Sequence, residues 1–245
     1  MDKKYQIILY GATGFTGRLC AEYFQASYPD LNWAISGRNK EKLEDLKNEL
    51  KLDCDIFVAD SEDYEAIQNF VKQTKVVLSA AGPFARYSTK VVEACVECKT
   101  HYTDITGENH WVKGLIDRFH EKAALDGTRI IPSCGYDSIP SDMGVYFSVT
   151  RSVKPVSHVT VFHSAKGGAS GGTTETMFTM GPLPKEMRDP FLLNPKDTVS
   201  ETQKNNSSDS FSVNFCSFII NKLSKSILPK LGPKFFLNST FCPRP

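Results

Sequence analysis

The sequence predicts an α/β fold, with a doubly wound parallel sheet followed by a second, smaller and incomplete α+β domain. Three observations support this fold class. Between residues 5 and 132, short apolar segments alternate with longer helical segments, which is typical of right-handed βαβ units in a parallel sheet. The first apolar segment ends in a glycine-rich loop at 11–17, and the alternation ends by residue 150.

The individual strands and helices follow from the spacing of the apolar residues. Short, continuously apolar runs are expected for strands that are buried on both faces of a parallel sheet. The predicted strands cover residues 5–10, 31–36, 55–59, 75–79, 100–105 and 128–132. Helices are predicted after the glycine loop and over residues 39–50, 61–72 (with Ser61 as its cap), 88–96 and 110–125.

Composition excludes several classes of protein. A net charge of +1 gives the chain no field that would recruit nucleic acid. We expect an intracellular protein that is not secreted, because no signal peptide and no transmembrane run precede or interrupt the first strands. The seven cysteines are expected to be reduced thiols. Cys95, Cys98 and His101 also allow a redox or zinc interpretation, but no fourth ligand is evident nearby, so no metal site is predicted.

The loop at 11–17 predicts a Rossmann-type site for a dinucleotide. Gly11 permits the tight turn, Gly14 lets backbone amides approach a pyrophosphate, and Gly17 lets the following helix pack closely on its strand. Thr13 and Thr16 add hydroxyl donors to phosphate. The same loop contains Phe15, which we include among the predicted cofactor-binding residues. The alternative is a tight turn with a purely structural role.

The end of the second strand predicts which dinucleotide binds. NAD sites usually place an acid about twenty residues after the glycine loop, where it holds the ribose 2′-hydroxyl. This chain has Arg38 and Asn39 there. An arginine pairs with a 2′-phosphate, which an acid would repel. NADP(H) is therefore the predicted cofactor, unless Arg38 is only a solvated charge at the start of a helix.

Two further strand ends are predicted to complete the cofactor site. Asp60, after the third strand, either accepts a hydrogen bond from the adenine amino group or caps the adjacent helix. Ala80, Ala81 and Gly82 follow the fourth strand and form a small-residue turn against which the nicotinamide riboside would lie. In open α/β sheets, ligands bind outside the carboxyl ends of the strands, so these loops are expected to converge on one crevice.

We divide the chain into three parts. Residues 1–150 form the cofactor-binding domain, residues 151–200 a partial substrate or dimerisation domain, and residues 201–245 a linker with a basic amphipathic tail. The second part is predicted to contain an alternating strand at 157–164, a glycine-rich loop at 166–172 and a helix from Thr173. These elements are too few for a layered sheet domain.

Five motifs in a fixed order resemble the saccharopine dehydrogenase-like oxidoreductase family, and within it most closely the trans-acting enoyl reductases. They are GATGFTG (11–17), SGRN (36–39), VLSAAGPF (77–84), YTDITGE (102–108) and CGYDSIPSD (134–142). GGASGGT (167–173) and DPFLLNP (189–195) extend the likeness to about residue 200, and after that it fades. Family members typically have a larger second domain than this chain contains.

The resemblance implies hydride transfer between NADP(H) and a small acyl, carbonyl or imine substrate. Because the second domain is incomplete, we expect this chain to bind NADPH but to turn substrate over slowly. Two alternatives remain open. One is a protein that binds NADP(H) without catalysis, and the other is a lipid-surface interaction protein.

Candidate catalytic residues lie after the fourth, fifth and sixth strands. Tyr136 and Asp137 are placed near the nicotinamide, although their loop also resembles a helix start. Tyr87 is a candidate acid, with a packed tyrosine as the alternative. Glu108, like Asp104, follows the fifth strand, where a carboxylate can simply offset a helix dipole. No tyrosine has a lysine four residues later, as short-chain dehydrogenases require.

The tail admits a different class of function. Seven apolar residues can form one face of a helix, with lysines off that face. They are Phe211, Phe215, Phe218, Ile219, Leu223, Ile227 and Leu231. This pattern predicts peripheral contact with a membrane or lipid droplet, and the alternative is a homodimer or core helix.

Overall fold

A computed structural model describes residues 3–156, 159, 161, 171–180, 183–189, 191–195, 198 and 201. These residues belong to two compact units. The first contains residues 3–136 and the described residues between 171 and 193, and the second begins at Asp137.

The first unit contains a parallel sheet of six strands. They are β1 (Tyr5–Tyr10), β2 (Trp33–Gly37), β3 (Asp55–Val58), β4 (Thr74–Ser79), β5 (His101–Asp104) and β6 (Ile130–Ile131). The strand order is β3-β2-β1-β4-β5-β6, and every neighbouring pair is parallel. This is the doubly wound order of dinucleotide-binding sheets, so the predicted fold class is confirmed.

Helices connect the strands and cover both faces of the sheet. The helices of the first unit up to residue 136 are α1 (Phe15–Ser27), α2 (Lys40–Leu50), α3 (Tyr64–Val71), α4 (Phe84–Tyr87), α5 (Thr89–Glu97) and α6 (Asn109–Asp126). In the second unit, α7 spans Ile139–Thr150. The first unit resumes with α8 (Gly171–Met180) and a short 3-10 helix at Lys185–Arg188.

The core forms two layers, one on each face of the sheet. Leu9 belongs to the layer that α1 and α2 cover, whereas its neighbours Ile8 and Tyr10 belong to the layer under α3, α5 and α6. Successive residues of a strand point to opposite faces, and β1 is covered on both faces along residues 7–10, whereas Gln6 near its start is exposed. This explains why the sequence shows a continuous apolar run at 7–10 rather than an alternation.

Two predicted boundaries were wrong, and one short helix was not predicted. Ser61 does not cap a helix, because a turn follows β3 and the side chain of Asp63 caps α3 by accepting from the amide of Ala66 at 3.0 Å. The helix predicted at 88–96 is preceded by the separate turn of α4. The last strand contains only two residues, whereas five were predicted.

Several predictions lie outside the described residues. They include most of the strand at 157–164, most of the glycine-rich loop at 166–172, and the amphipathic tail. The helix predicted from Thr173 corresponds to α8, which begins at Gly171. Among the described residues, the helices are too short or too polar to cross a membrane.

Candidate dinucleotide-binding site

The predicted cofactor residues lie in the loops that leave the sheet at its carboxyl edge. Parallel strands all end at this edge, and the strand order reverses between β1 and β4. A crevice opens at such a reversal, and it is the usual ligand site of this fold. The loops after β1, β2, β3 and β4, together with the first turn of α1, contain all the residues that the sequence assigned to the cofactor.

The glycine loop after β1 turns tightly against its neighbours. Gly11 has a φ of +81°, in the left-handed region that favours glycine, and its amide donates to the carbonyl of Ser36 at 2.8 Å. A Cβ at Gly17 would lie 2.2 Å from the carbonyl oxygen of Gly11. No backbone tolerates that distance, so Gly17 is required by the packing of α1 against the loop.

Gly14 differs from these two glycines. Its φ is −76°, which any residue adopts, and a Cβ there would meet only the carbonyl oxygen of Gly11, at 3.4 Å. It precedes α1 without contributing a side-chain cap, and the first amides of a helix have no acceptor within it. Thr13, Gly14 and Phe15 are exposed. The space and donors at this position therefore fit the pyrophosphate of a dinucleotide.

The end of β2 presents a cation to solvent. Arg38 is exposed, and within the described ranges no ion pair of its guanidinium is found. Asn39 is also exposed, but its side-chain oxygen accepts from the amide of Lys42 at 2.9 Å and so caps α2. Arg38 is thus the side chain here that fits a 2′-phosphate, and Asn39 has only its amide NH₂ left to offer.

Tyr10 and Asp60 lie near this cation. Burial, together with the negative charge of Asp60, raises the pKa of Tyr10 to about 12, and the positive charge of Arg38 opposes this shift. The phenol is therefore a hydrogen-bond donor at neutral pH. Asp60 itself is exposed and accepts from the amide of Glu62 at 2.9 Å, which supports a role in the turn before α3.

The loop after β4 packs directly against the glycine loop. A Cβ at Gly11 would lie 2.7 Å from the amide nitrogen of Ala81, and the amide of Ala80 donates to the carbonyl of Tyr10 at 2.8 Å. Gly82 is followed by a cis peptide bond to Pro83. The two loops thus meet at the switch point, and small residues on both sides keep the crevice open.

Glu108 has a position that the sequence did not reveal. Its side chain is 1% exposed, and its two carboxylate oxygens accept from the backbone amides of Phe84 and Ala85, at 2.7 and 2.9 Å. Those amides open α4, directly after the loop that follows β4. Its side chain makes no capping bond to α6, the helix that Glu108 precedes.

Asp104 makes the corresponding contacts to the other neighbouring loop. It is fully buried at the end of β5 and accepts from the hydroxyl of Tyr102 at 2.8 Å. It also accepts from the amides of Thr106 and Ser133, at 3.0 and 2.9 Å. Ser133 has a φ of +60°, so this bond holds an uncommon backbone conformation. Burial raises the pKa of Asp104 above its ordinary value.

The three candidate catalytic residues lie in two different turns of the chain. Tyr136 is 67% exposed, Asp137 is exposed beside it, and both lie in the turn before α7. Tyr87 ends α4, is half-buried, and has the guanidinium of Arg86 5.2 Å from its ring centroid. Their catalytic roles stay predictions.

Cys95 lies within α5, and Cys98 directly follows the last residue of this helix. Cys95 is fully buried, and burial raises the pKa of its thiol well above the ordinary value. His101 already accepts from the amide of Arg129 at 3.0 Å through its Nδ1. In the described part of the chain, no three histidines, cysteines or acids are grouped as metal ligands.

The strand order and the glycine loop at the switch point define a dinucleotide-binding domain of the doubly wound class. Within that class, residues 7–131 match the saccharopine dehydrogenase NADP binding domain. The chain belongs to this family, as the five motifs indicated. Its cofactor is therefore NADP(H), which confirms the prediction drawn from Arg38.

Relatives extend the likeness beyond this domain. A trans-acting enoyl reductase of Mycobacterium tuberculosis is 38% identical over 156 residues, which cover 62% of this chain and 37% of the relative. A trans-acting enoyl reductase of Mycobacterium leprae is 34% identical over 207 residues, which cover 78% of this chain and 50% of the relative. The chain thus spans half or less of the length of these relatives.

A solved structure shows the same fold. Saccharopine dehydrogenase (L-Glu forming) from Saccharomyces cerevisiae aligns with a TM-score of 0.50 and 16% identity, over 60% of this chain and 31% of that one. At this identity, the likeness concerns the fold alone.

Proposed function

We propose that the chain is the cofactor-binding part of an NADP(H)-dependent oxidoreductase, which transfers a hydride to or from a small acyl, carbonyl or imine substrate. The observation that carries this proposal is the open space at Gly14, which the packing of the protein leaves unfilled. This space lies in the glycine loop, which the loop after β4 contacts at Gly11. A pyrophosphate in this space and a 2′-phosphate at Arg38 direct the nicotinamide towards the loops after β4, β5 and β6. Hydride transfer would take place there.

Among these substrates we favour an acyl chain with a conjugated double bond. The names of the mycobacterial relatives support this choice. Tyr87, Tyr136 and Asp137 are the candidate proton donors or polarisers, because a carbon that receives hydride is paired with a protonation step. Turnover requires the acceptor carbon to be held about 3–3.5 Å from the nicotinamide in a site that excludes water.

The test is anaerobic stopped-flow absorbance of NADPH with panels of enoyl thioesters, keto acids and imines. We expect NADPH to bind and to be oxidised with enoyl thioesters, and we expect Gly14→Val to abolish both. Binding without oxidation by any panel would favour a non-catalytic NADP(H)-binding protein. Absence of NADPH binding would contradict the proposal altogether.

We further propose that the basic tail at 205–245 binds a lipid surface. The protein would then be either cytoplasmic or peripheral on a membrane or lipid droplet. The support is the composition of the sequence, because residues 210–245 combine large apolar residues with lysines such as Lys222 and Lys225 and contain no acidic residue. Flotation with anionic vesicles tests this, with Lys222→Glu/Lys225→Glu as the variant expected to remain unbound. A homodimer in sedimentation, without flotation, would assign the tail to dimerisation instead.

A further inference from the structure

We propose that Glu108 is a positioning residue for the nicotinamide half of the cofactor, acting through the loop that follows β4. This inference rests on the proposed function. A side chain that is 1% exposed has no route to a ligand, so any role it has in the site must be transmitted by the groups it contacts. Those groups are the amides of Phe84 and Ala85.

The first step concerns the strength of this contact. A carboxylate that accepts two amide hydrogen bonds makes charge-assisted bonds, which are about twice as strong as neutral ones. The amides of Phe84 and Ala85 begin α4 and have no acceptor within that helix, and Pro83 before them makes no side-chain cap. Glu108 therefore supplies from another element the acceptors that this helix start lacks.

The second step concerns what else fixes the same segment. The ring of Phe84 stacks on Trp111 of α6, with the ring centroids 6.2 Å apart, and the indole nitrogen of Trp111 donates to Thr89 at 2.9 Å. The amide of Glu108 donates to the hydroxyl of Thr106 at 3.0 Å, which fixes its own loop. The segment between β4 and α5 is thus held from one side by α6 and by Glu108, which precedes this helix.

The third step concerns the place of this segment in the crevice. Ala81 contacts Gly11 at the switch point, whereas Arg38 lies at the end of β2, on the far side of β1. A dinucleotide with its 2′-phosphate at Arg38 has its adenosine half over β2 and its nicotinamide half beside the loop after β4. Glu108 should therefore affect the nicotinamide half alone.

The experiment compares E108Q with wild type for two ligands, 2′,5′-ADP (the adenosine half) and NADPH. Glutamine keeps the size of the side chain, but its NH₂ group cannot accept from an amide. We expect unchanged 2′,5′-ADP affinity, NADPH affinity reduced about tenfold or more, and loss of the fluorescence enhancement of bound dihydronicotinamide. The matched control is E97Q, which changes an exposed carboxylate that accepts from Tyr64 and Gln68, and both ligands should bind it as they bind wild type.

The other outcomes distinguish the two proposals. If wild type binds both ligands and E108Q retains the NADPH fluorescence signal, the positioning role is wrong while the proposed function stands. Equal losses of affinity for both ligands would mean that Glu108 contributes to general stability, and this result would also contradict the positioning role. Wild-type protein that binds neither ligand would overturn the proposed function, and the positioning role with it.

A second measurement covers the case in which E108Q does not fold. Amide hydrogen exchange of residues 80–87 in cofactor-free wild type should be slow, because Glu108 holds this segment before any ligand arrives. Exchange at the rate of an open loop would show that the segment is not positioned by Glu108, and the inference would fail.

Discussion

The loops after β1 and β5 position the site by opposite means. The loop after β1 works through absent side chains, since Gly11 and Gly17 allow close contacts and Gly14 leaves an open space. The loop after β5 works through buried carboxylates, since Asp104 and Glu108 accept from backbone amides of the two neighbouring loops. The loop after β1 leaves space for a ligand, and the carboxylates around the loop after β5 fix the backbone of the loops that line this space.

The largest expected effect is a loss of stability on substitution of Gly17. In Gly17→Ala, the new Cβ would lie 2.2 Å from the carbonyl oxygen of Gly11, so α1 must shift. We expect the free energy of unfolding to fall by about 3 kcal/mol or more, as measured by urea denaturation.

The control is Gly114→Ala in α6, where an added Cβ has no neighbour within 4 Å. This change should raise the free energy of unfolding by about 0.5–1 kcal/mol, because alanine favours a helix more than glycine does. Equal effects at both positions would show that the packing of α1 on the glycine loop is not as close as described.

Gly14→Val should separate binding from stability. Space for the side chain exists in the protein, because the position is exposed and its φ is ordinary, but a pyrophosphate would compete for that space. We expect a circular dichroism spectrum like that of wild type and a loss of NADPH affinity of about 100-fold, or about 2.7 kcal/mol. Unchanged affinity in calorimetry would place the phosphate site elsewhere.

Arg38→Ala should discriminate between the two nicotinamide cofactors. Loss of a charge-assisted hydrogen bond to the 2′-phosphate is expected to cost about 1–3 kcal/mol with NADPH and little with NADH. Calorimetry with both cofactors measures this difference. Lys122→Ala, an equal change in charge at an exposed position of α6, is the control, and equal losses with NADPH and NADH would contradict the assignment of Arg38.

The smallest expected effect is a pH dependence of the free energy of unfolding that is caused by Asp104, the buried acid at the end of β5. Burial raises the pKa of Asp104 in the folded state, so the folded state binds this proton more tightly than the unfolded state does. Its contribution to stability is fully present below the ordinary pKa of aspartate and is lost as the pH rises through the raised folded pKa. Wild type should therefore lose stability relative to D104N between about pH 4 and pH 7, by about 1.4 kcal/mol for every tenfold difference in proton affinity between the two states.

Urea denaturation at both pH values measures that difference. D117N removes a carboxylate from an exposed position of α6 and serves as the reference for a lost surface charge. A difference between wild type and D104N that does not change with pH would mean that Asp104 titrates alike in both states.

The comparison also explains what the sequence predicts well. Gly11, Gly14 and Gly17 are close in sequence and are required by backbone geometry, so their spacing predicts the turn and the phosphate site. The continuous apolar run of β1 likewise follows from burial on both faces. Such local requirements predicted the fold class, the cofactor and the position of Arg38.

Other features depend on contacts between distant residues. Glu108 accepts from an amide 24 residues earlier in the chain, and nothing in the residues around Glu108 indicates which donor it will find. Asp104 likewise accepts from the amide of Ser133, which lies 29 residues later in the chain. These residues are compatible with several local roles, and only tertiary contacts decide between them.

Because Cys95 is buried, the rate at which its thiol is alkylated reports local opening of the protein. Alkylating reagents attack the thiolate, and this thiol is both inaccessible and difficult to ionise while α5 is packed. Cys134, which is partly exposed, reacts without any opening and calibrates the reagent. The ratio of the two labelling rates, followed by mass spectrometry, therefore measures how often the core beneath α5 opens, and saturating NADPH should slow Cys95 while it stabilises the folded state.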